Sequence, residues 1–144
     1  MRHNLDAVER LAARDHYLTV VATTRQDCTV QSSVVNAGVI DHPVSGERVV
    51  AFVTYGATKK AHLRVRQHAT LTFRTGWEWI TVEGGVELMG PDDPALDPER
   101  VRLLLREVYR AAGGEHDDWA EYDRVMQRQR RTAVLVTPDR IYGN

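Results

Sequence analysis

Apolar residues first recur at helical spacing. Leu5, Val8, Leu11 and Ala12 fall on one face behind Asn4 or Asp6, either of which can cap a helix expected to end near His16. The pattern then changes. Residues 17–24 are rich in β-branched side chains and predict a strand. A polar turn at Arg25-Gln26-Asp27 leads to a second strand over 29–40, and a loop containing Pro43 and Gly46 leads to a third over 49–54. Tyr55-Gly56-Ala57 turns the chain into a short helix, capped by Thr58 and running to about Gln67. A fourth strand over 69–75 and a turn at Thr75-Gly76 precede a long fifth strand over 77–88. Its alternation sets Ile80, Val82, Val86 and Leu88 against Trp77, Trp79, Thr81, Glu83 and Glu87.

The last third reads as two helices and a strand. Asp97-Pro98-Glu99 combines a cap, a proline at the first helical position and an acid, and Val101, Leu104, Leu105, Val108 and Tyr109 repeat behind it until Gly113-Gly114 stops the helix. Asp117 or Asp118 caps the next helix, with Trp119, Tyr122, Val125 and Met126 on one face. Arg128, Arg130 and Arg131 suit its negative end. Residues 132–137 form a closing strand, and Pro138-Asp139 starts a turn. Short connections make the sheet largely antiparallel, and strands do not alternate with helices in the doubly wound manner. The expectation is a small barrel of five or six strands with helices at its margins, in one domain spanning residues 1–144.

Composition narrows the function. Hydrophobic residues make up 42% and charged residues 27%, an ordinary globular mix. The formal net charge of −1 gives no global field toward nucleic acid or anionic lipid, and no nucleic-acid module motif accompanies the arginines. The single cysteine, Cys28, fits a reducing cytoplasm. No apolar run is long enough to span a bilayer, and the N-terminus lacks a signal-peptide stretch. The six histidines show no zinc-ligand spacing, so no metal site is expected.

The most informative segment is Thr54-Tyr55-Gly56-Ala57-Thr58-Lys59-Lys60-Ala61-His62-Leu63-Arg64. Lysines in a helix's first turn oppose its dipole, and an anion placed there reverses the sign. Free backbone N–H groups, a threonine hydroxyl and a lysine suit a phosphate, against the plain alternative of a solvated basic helix. Trp77 and Trp79, two apart on one strand, share a face that covers either a subunit contact or a pocket for a flat ring. Gln31 and Ser33 share a strand face, to bond a ring or to meet water. His62 and His68 read as polar surface and Cys28 as a small residue by a turn. Glu83 and Glu87 are not a persuasive catalytic pair, and no Gly-x-Ser-x-Gly elbow surrounds the serines.

Together these segments resemble the pyridoxamine-phosphate-oxidase-like split β-barrel superfamily, and within it the deazaflavin-dependent B group of flavin/deazaflavin oxidoreductases. The resemblance rests on Gln31-x-Ser33, Lys59-x-x-x-Leu63-Arg64, Trp77-x-Trp79-x-x-x-Glu83-Gly84 and the tail from Ala112-Gly113-Gly114 through Asp118-Trp119 to Ile141-Tyr142-Gly143. It implies a six-stranded antiparallel split barrel, mainly β with peripheral helices, and a homodimer whose cofactor sites lie at the subunit interface. Lys59 matches the phosphate-binding lysine, with Thr54, Thr58 and Arg64 in the same lobe. Gln31, Ser33 and Asn36 match positions near the ring, and Trp77 and Trp79 match pocket aromatics. The implied cofactor is coenzyme F420, with FMN as its rival. The implied reaction passes a hydride to a small unsaturated acceptor, such as a conjugated carbonyl or a linear tetrapyrrole. The alternatives are an FMN enzyme and an F420-binding protein without turnover. The sequence departs from the family at His62 to Gln67, where Asn-Leu-Arg-x-Asp-Pro is common, and at Ala57, where relatives can carry a basic residue.

Overall fold

In the computed structural model, which describes residues 3–144, six strands close into a barrel. The elements are α1 (Leu5–Ala13), β1 (Leu18–Thr24), β2 (Val30–Asp41), β3 (Arg48–Thr54), α2 (Ala57–Val65), β4 (His68–Thr75), β5 (Glu78–Met89), α3 (Pro98–Ala111), α4 (Trp119–Arg128) and β6 (Thr132–Gly143). The order around the barrel is β1-β2-β3-β6-β5-β4, with every pair antiparallel. Closure removes the sheet edges that would otherwise need protection.

Two cores hold the molecule. The inward face of the strands, with Phe52, Phe73, Leu71 and Val82 fully buried, fills the barrel together with Val8 and Leu11 of α1 and Leu63 of α2. The second core lies outside it, where Val101, Leu104, Leu105 and Val108 of α3 and Tyr122 of α4 cover Ala51 of β3 and Leu135 of β6. Gly38 lets α3 end directly on β2, since a Cβ there would lie 2.3 Å from the Ala111 carbonyl oxygen. Among the described residues no helix is long and apolar enough to cross a membrane.

Several expectations change. The first helix stops at Ala13, and His16 and Tyr17 follow in left-handed conformation at φ +57° and +59°. α2 starts one residue before Thr58, with Gly56 as its N-cap and no capping side chain. β6 does not stop before Pro138 but continues to Gly143. The proline is tolerated because it lies opposite Gly84 at a register shift, where the ladder is already interrupted. Trp77 is not on β5. Gly76 at φ +60° and Trp77 form a two-residue hairpin turn of the kind that takes glycine first.

Candidate functional site

A cleft of about 880 Å³ opens beside β2, the end of β3 and the end of α3. Four chain segments build its wall: His16-Tyr17 ahead of β1, Val34-Val35-Asn36 of β2, Val53 to Gly56 leading into α2, and Ala112-Gly113-Gly114 after α3. Ala13 at the end of α1, Lys59, Val108 and Tyr109 of α3, and Arg131 join them. Tight packing holds the loops. A Cβ at Gly113 (φ +83°) would stand 2.6 Å from the Tyr17 ring, and one at Gly114 would stand 2.3 Å from the Tyr109 ring. Both tyrosines line the cleft. Consecutive left-handed residues at His16 and Tyr17 are strained for side chains with a Cβ, and such strain persists where surrounding structure over-determines it. Here Asn36 Nδ2 donates to the His16 carbonyl at 2.8 Å, and the Ala37 N–H donates to that of Tyr17 at 2.9 Å.

The electrostatics are one-sided. Among the described residues the wall contains two cations, Lys59 and Arg131, and no carboxylate. The Lys59 ammonium donates to Ser33 Oγ at 2.7 Å, and burial holds it below the ordinary lysine range. Arg131 lies 3.8 Å above the Tyr55 ring centre, and burial likewise pushes its guanidinium down from its usual value. The N-terminus of α2 faces the same space through Gly56, with no acid in its first turn and no side chain on its free N–H groups. Unneutralised cations, a bare helix N-terminus and three tyrosine rings (Tyr17, Tyr55 and Tyr109) suit a flat ligand carrying a phosphate.

The structure sorts the residues singled out by sequence. Lys59, Thr54 and Asn36 line the cleft, and Ser33 is bonded to Lys59. Gln31 follows on the same face of β2, and its buried Oε1 has no hydrogen-bond partner. Thr58 is exposed and is not part of the wall. Arg64 lies outside the cleft because both oxygens of Asp93 hold its guanidinium at 3.0 Å. The tryptophans do not join the pocket of their own chain. Trp77 is 92% exposed at the hairpin tip, and Trp79 stacks edge-on against Tyr142 with 6.1 Å between centroids. His62 is not simply polar surface, since its Nδ1 is buried without a partner.

Sequence reasoning missed Arg131, because a cation after a helix already satisfies the dipole rule. It actually follows the end of α4 and stands directly before β6, where Thr132 pairs with Thr54 of β3. It also missed the division of labour between the paired lysines. Lys60 is buried and donates to the Arg130 carbonyl at 3.3 Å, tying α2 to the segment that carries Arg131.

No protein-family model matches the sequence. Among solved structures, the chain is similar to a pyridoxamine 5'-phosphate oxidase-related, FMN-binding protein from Nostoc punctiforme, with a TM-score of 0.63 and 14% identity over 96% of this chain and 82% of that one. It is similar to an F420 reductase, with a TM-score of 0.58 and 16% identity over 88% and 89% of the two chains. A conserved hypothetical protein from Mycobacterium tuberculosis gives a TM-score of 0.69 and 15% identity over 97% and 83%. This chain shares the fold of these proteins, a six-stranded antiparallel split barrel. At these identities the likeness is one of fold. The split barrel leaves the role of the cleft to be read from its own residues.

Proposed function

We propose that this chain is an oxidoreductase that binds a flavin-type cofactor, coenzyme F420, in the cleft at the N-terminus of α2. The observation that carries the reading is the meeting of Lys59, Arg131 and an uncapped helix N-terminus in a wall without a carboxylate. In this reading the N–H groups of the first turn of α2, with Lys59 and Arg131, hold the phosphate. Ser33 orients Lys59 through their hydrogen bond. Tyr17, Tyr55 and Tyr109 shield the ring from water, Asn36 presents its amide from β2, and Gln31 keeps a buried, unpartnered oxygen behind Ser33 on the strand's other face. When bound, the deazaflavin supplies hydride transfer to a small unsaturated acceptor, and the protein's part is to bind, orient and exclude water.

The reading includes a homodimer. Leu18, Val20, Val30 and Val34 leave β1 and β2 with exposed apolar side chains, and Val20 stands directly opposite Val34 across the ladder. Val34 also lines the cleft, so a second copy seated on this face would wall the cofactor site.

The test is parallel calorimetric titration of the purified protein with coenzyme F420 and FMN. Tight binding of the deazaflavin with weak FMN binding is expected, followed by turnover in an acceptor screen with the reduced cofactor. Preference for FMN would move the reading to a flavin enzyme. Binding of neither would remove the cofactor reading and leave the fold.

A further inference from the structure

A second cavity, of about 450 Å³, lies between α3, α4 and the loop joining β5 to α3. Leu96, Val101, Leu105 and Met126 give it apolar walls. The charged side chains around it are almost all paired. Asp93 holds Arg64, Glu99 and Asp123 hold Arg102, and Asp92 holds Arg130. Arg131 is the exception: among the described residues no carboxylate lies within ion-pair distance of it. It forms part of the wall of this cavity as well as of the cleft. Its Nε donates to Gln129 Oε1 at 2.8 Å and its Cζ lies 3.8 Å from the centre of the Tyr55 ring, which fixes the group while leaving its four terminal N–H donors without a partner among the described residues.

We infer that the cavity between α3 and α4 is a binding site for a small amphipathic carboxylate, its apolar body against Leu96, Leu105 and Met126 and its carboxylate on Arg131. The charge present selects the class. One unpaired guanidinium beside apolar walls matches a monoanion with a hydrocarbon body, whereas the cleft, with Lys59 and a helix N-terminus besides, matches a phosphate. The volume falls in the range of small-molecule sites. The two sites share one positive charge, so an anion in either weakens the attraction of the other, and by linkage the effect is reciprocal. This site goes beyond the cofactor reading and is tested without any cofactor.

The experiment titrates the full chain with octanoate and with 1-octanol, following backbone amide signals by nuclear magnetic resonance. Saturable 1:1 binding of octanoate is expected, with shifts centred on Leu96, Leu105 and Met126. The uncharged alcohol should bind about tenfold more weakly, the scale of one charge-assisted contact. Arg131→Gln should bring octanoate down to the level of the alcohol. Met126→Trp, which fills the cavity, should abolish binding of both. Octanoate shifts confined to the cleft around Tyr55 and Lys59, equal binding of acid and alcohol, or a folded Met126→Trp variant that binds as before would each overturn the inference. The shift map on the unmodified chain decides the matter even if that variant does not fold.

Discussion

Lys59 keeps its ammonium in a half-buried place beside Ser33, without a carboxylate among the cleft residues. A charge held in that state is a cost to the free protein and an asset to a complex. Lys59→Ala should weaken binding of a phosphate-bearing ligand by about 1.5–3 kcal/mol, the value of a hydrogen bond to a charged group, measured by calorimetry. Lys59→Met, which keeps the stem, should lose the same affinity yet raise the unfolding midpoint of the free protein, because the desolvated charge is gone. A lower midpoint would show that the bond to Ser33 outweighs the desolvation.

The same residue dictates a pH dependence. Burial lowers the Lys59 pKa from its ordinary value, and an anion favours the charged form, so ligand binding takes up a proton in the alkaline range. Affinity is full below the pKa of the free protein and falls as pH rises through it, beginning below the ordinary lysine range. Stability runs the other way. Folding releases the proton, so the destabilisation is complete below the folded-state pKa and is relieved as pH rises toward the unfolded value. Calorimetric affinities across this range should fall for the natural protein and stay level in Lys59→Arg. A fall of equal size in both would assign the dependence elsewhere.

At the scale of elements, α2 is the one whose two ends do different work. Lys60 and Leu63, one turn apart, bury its underside, while the bare first turn faces the cleft. Ordinary helix design would put Ser, Asp or Asn at Gly56, and nothing within 4 Å blocks a side chain there. Gly56→Asp should therefore stabilise the fold by a few tenths of a kcal/mol while sharply reducing phosphate-ligand affinity, because the carboxylate takes the helix N–H groups and repels the anion. A stabilised variant with unchanged affinity would show that α2 does not hold the ligand. The contrast with α3 is instructive. Asp97 caps that helix by accepting from the Arg100 N–H at 2.8 Å, and no ligand is asked of its N-terminus.

At the scale of the whole molecule, the closed barrel has no free edge, so association must use faces rather than strand addition. The apolar stripe over β1 and β2 is such a face, and it borders the cleft at Val34. Val34→Asp should convert a dimer to a monomer in sedimentation or light scattering, since it would bury an unpaired carboxylate in the contact. The monomer should stay folded, because this side chain points away from both cores, and its cofactor affinity should drop with the lost wall. A dimer that persists would place the interface on another surface.

What the sequence determined by itself was local. β-branched runs and helical spacing named ten elements in the right order, because those patterns reflect which face of each segment must leave water, and Asp97-Pro98 marked its helix start to the residue. The lysine helix raised the expectation of an anion site, because dipole and charge act over a few neighbouring residues. Long-range pairing lay beyond that reading. That Pro138 continues β6 depends on Gly84 in another strand, and that Trp77 and Trp79 leave the pocket of their own chain depends on a hairpin turn and on which way it points. Arg131 had a sufficient local explanation as a helix-end cation. Only the pairing of β3 with β6 carried it to Tyr55 and Lys59, where, among the described residues, its charge has no counter-ion.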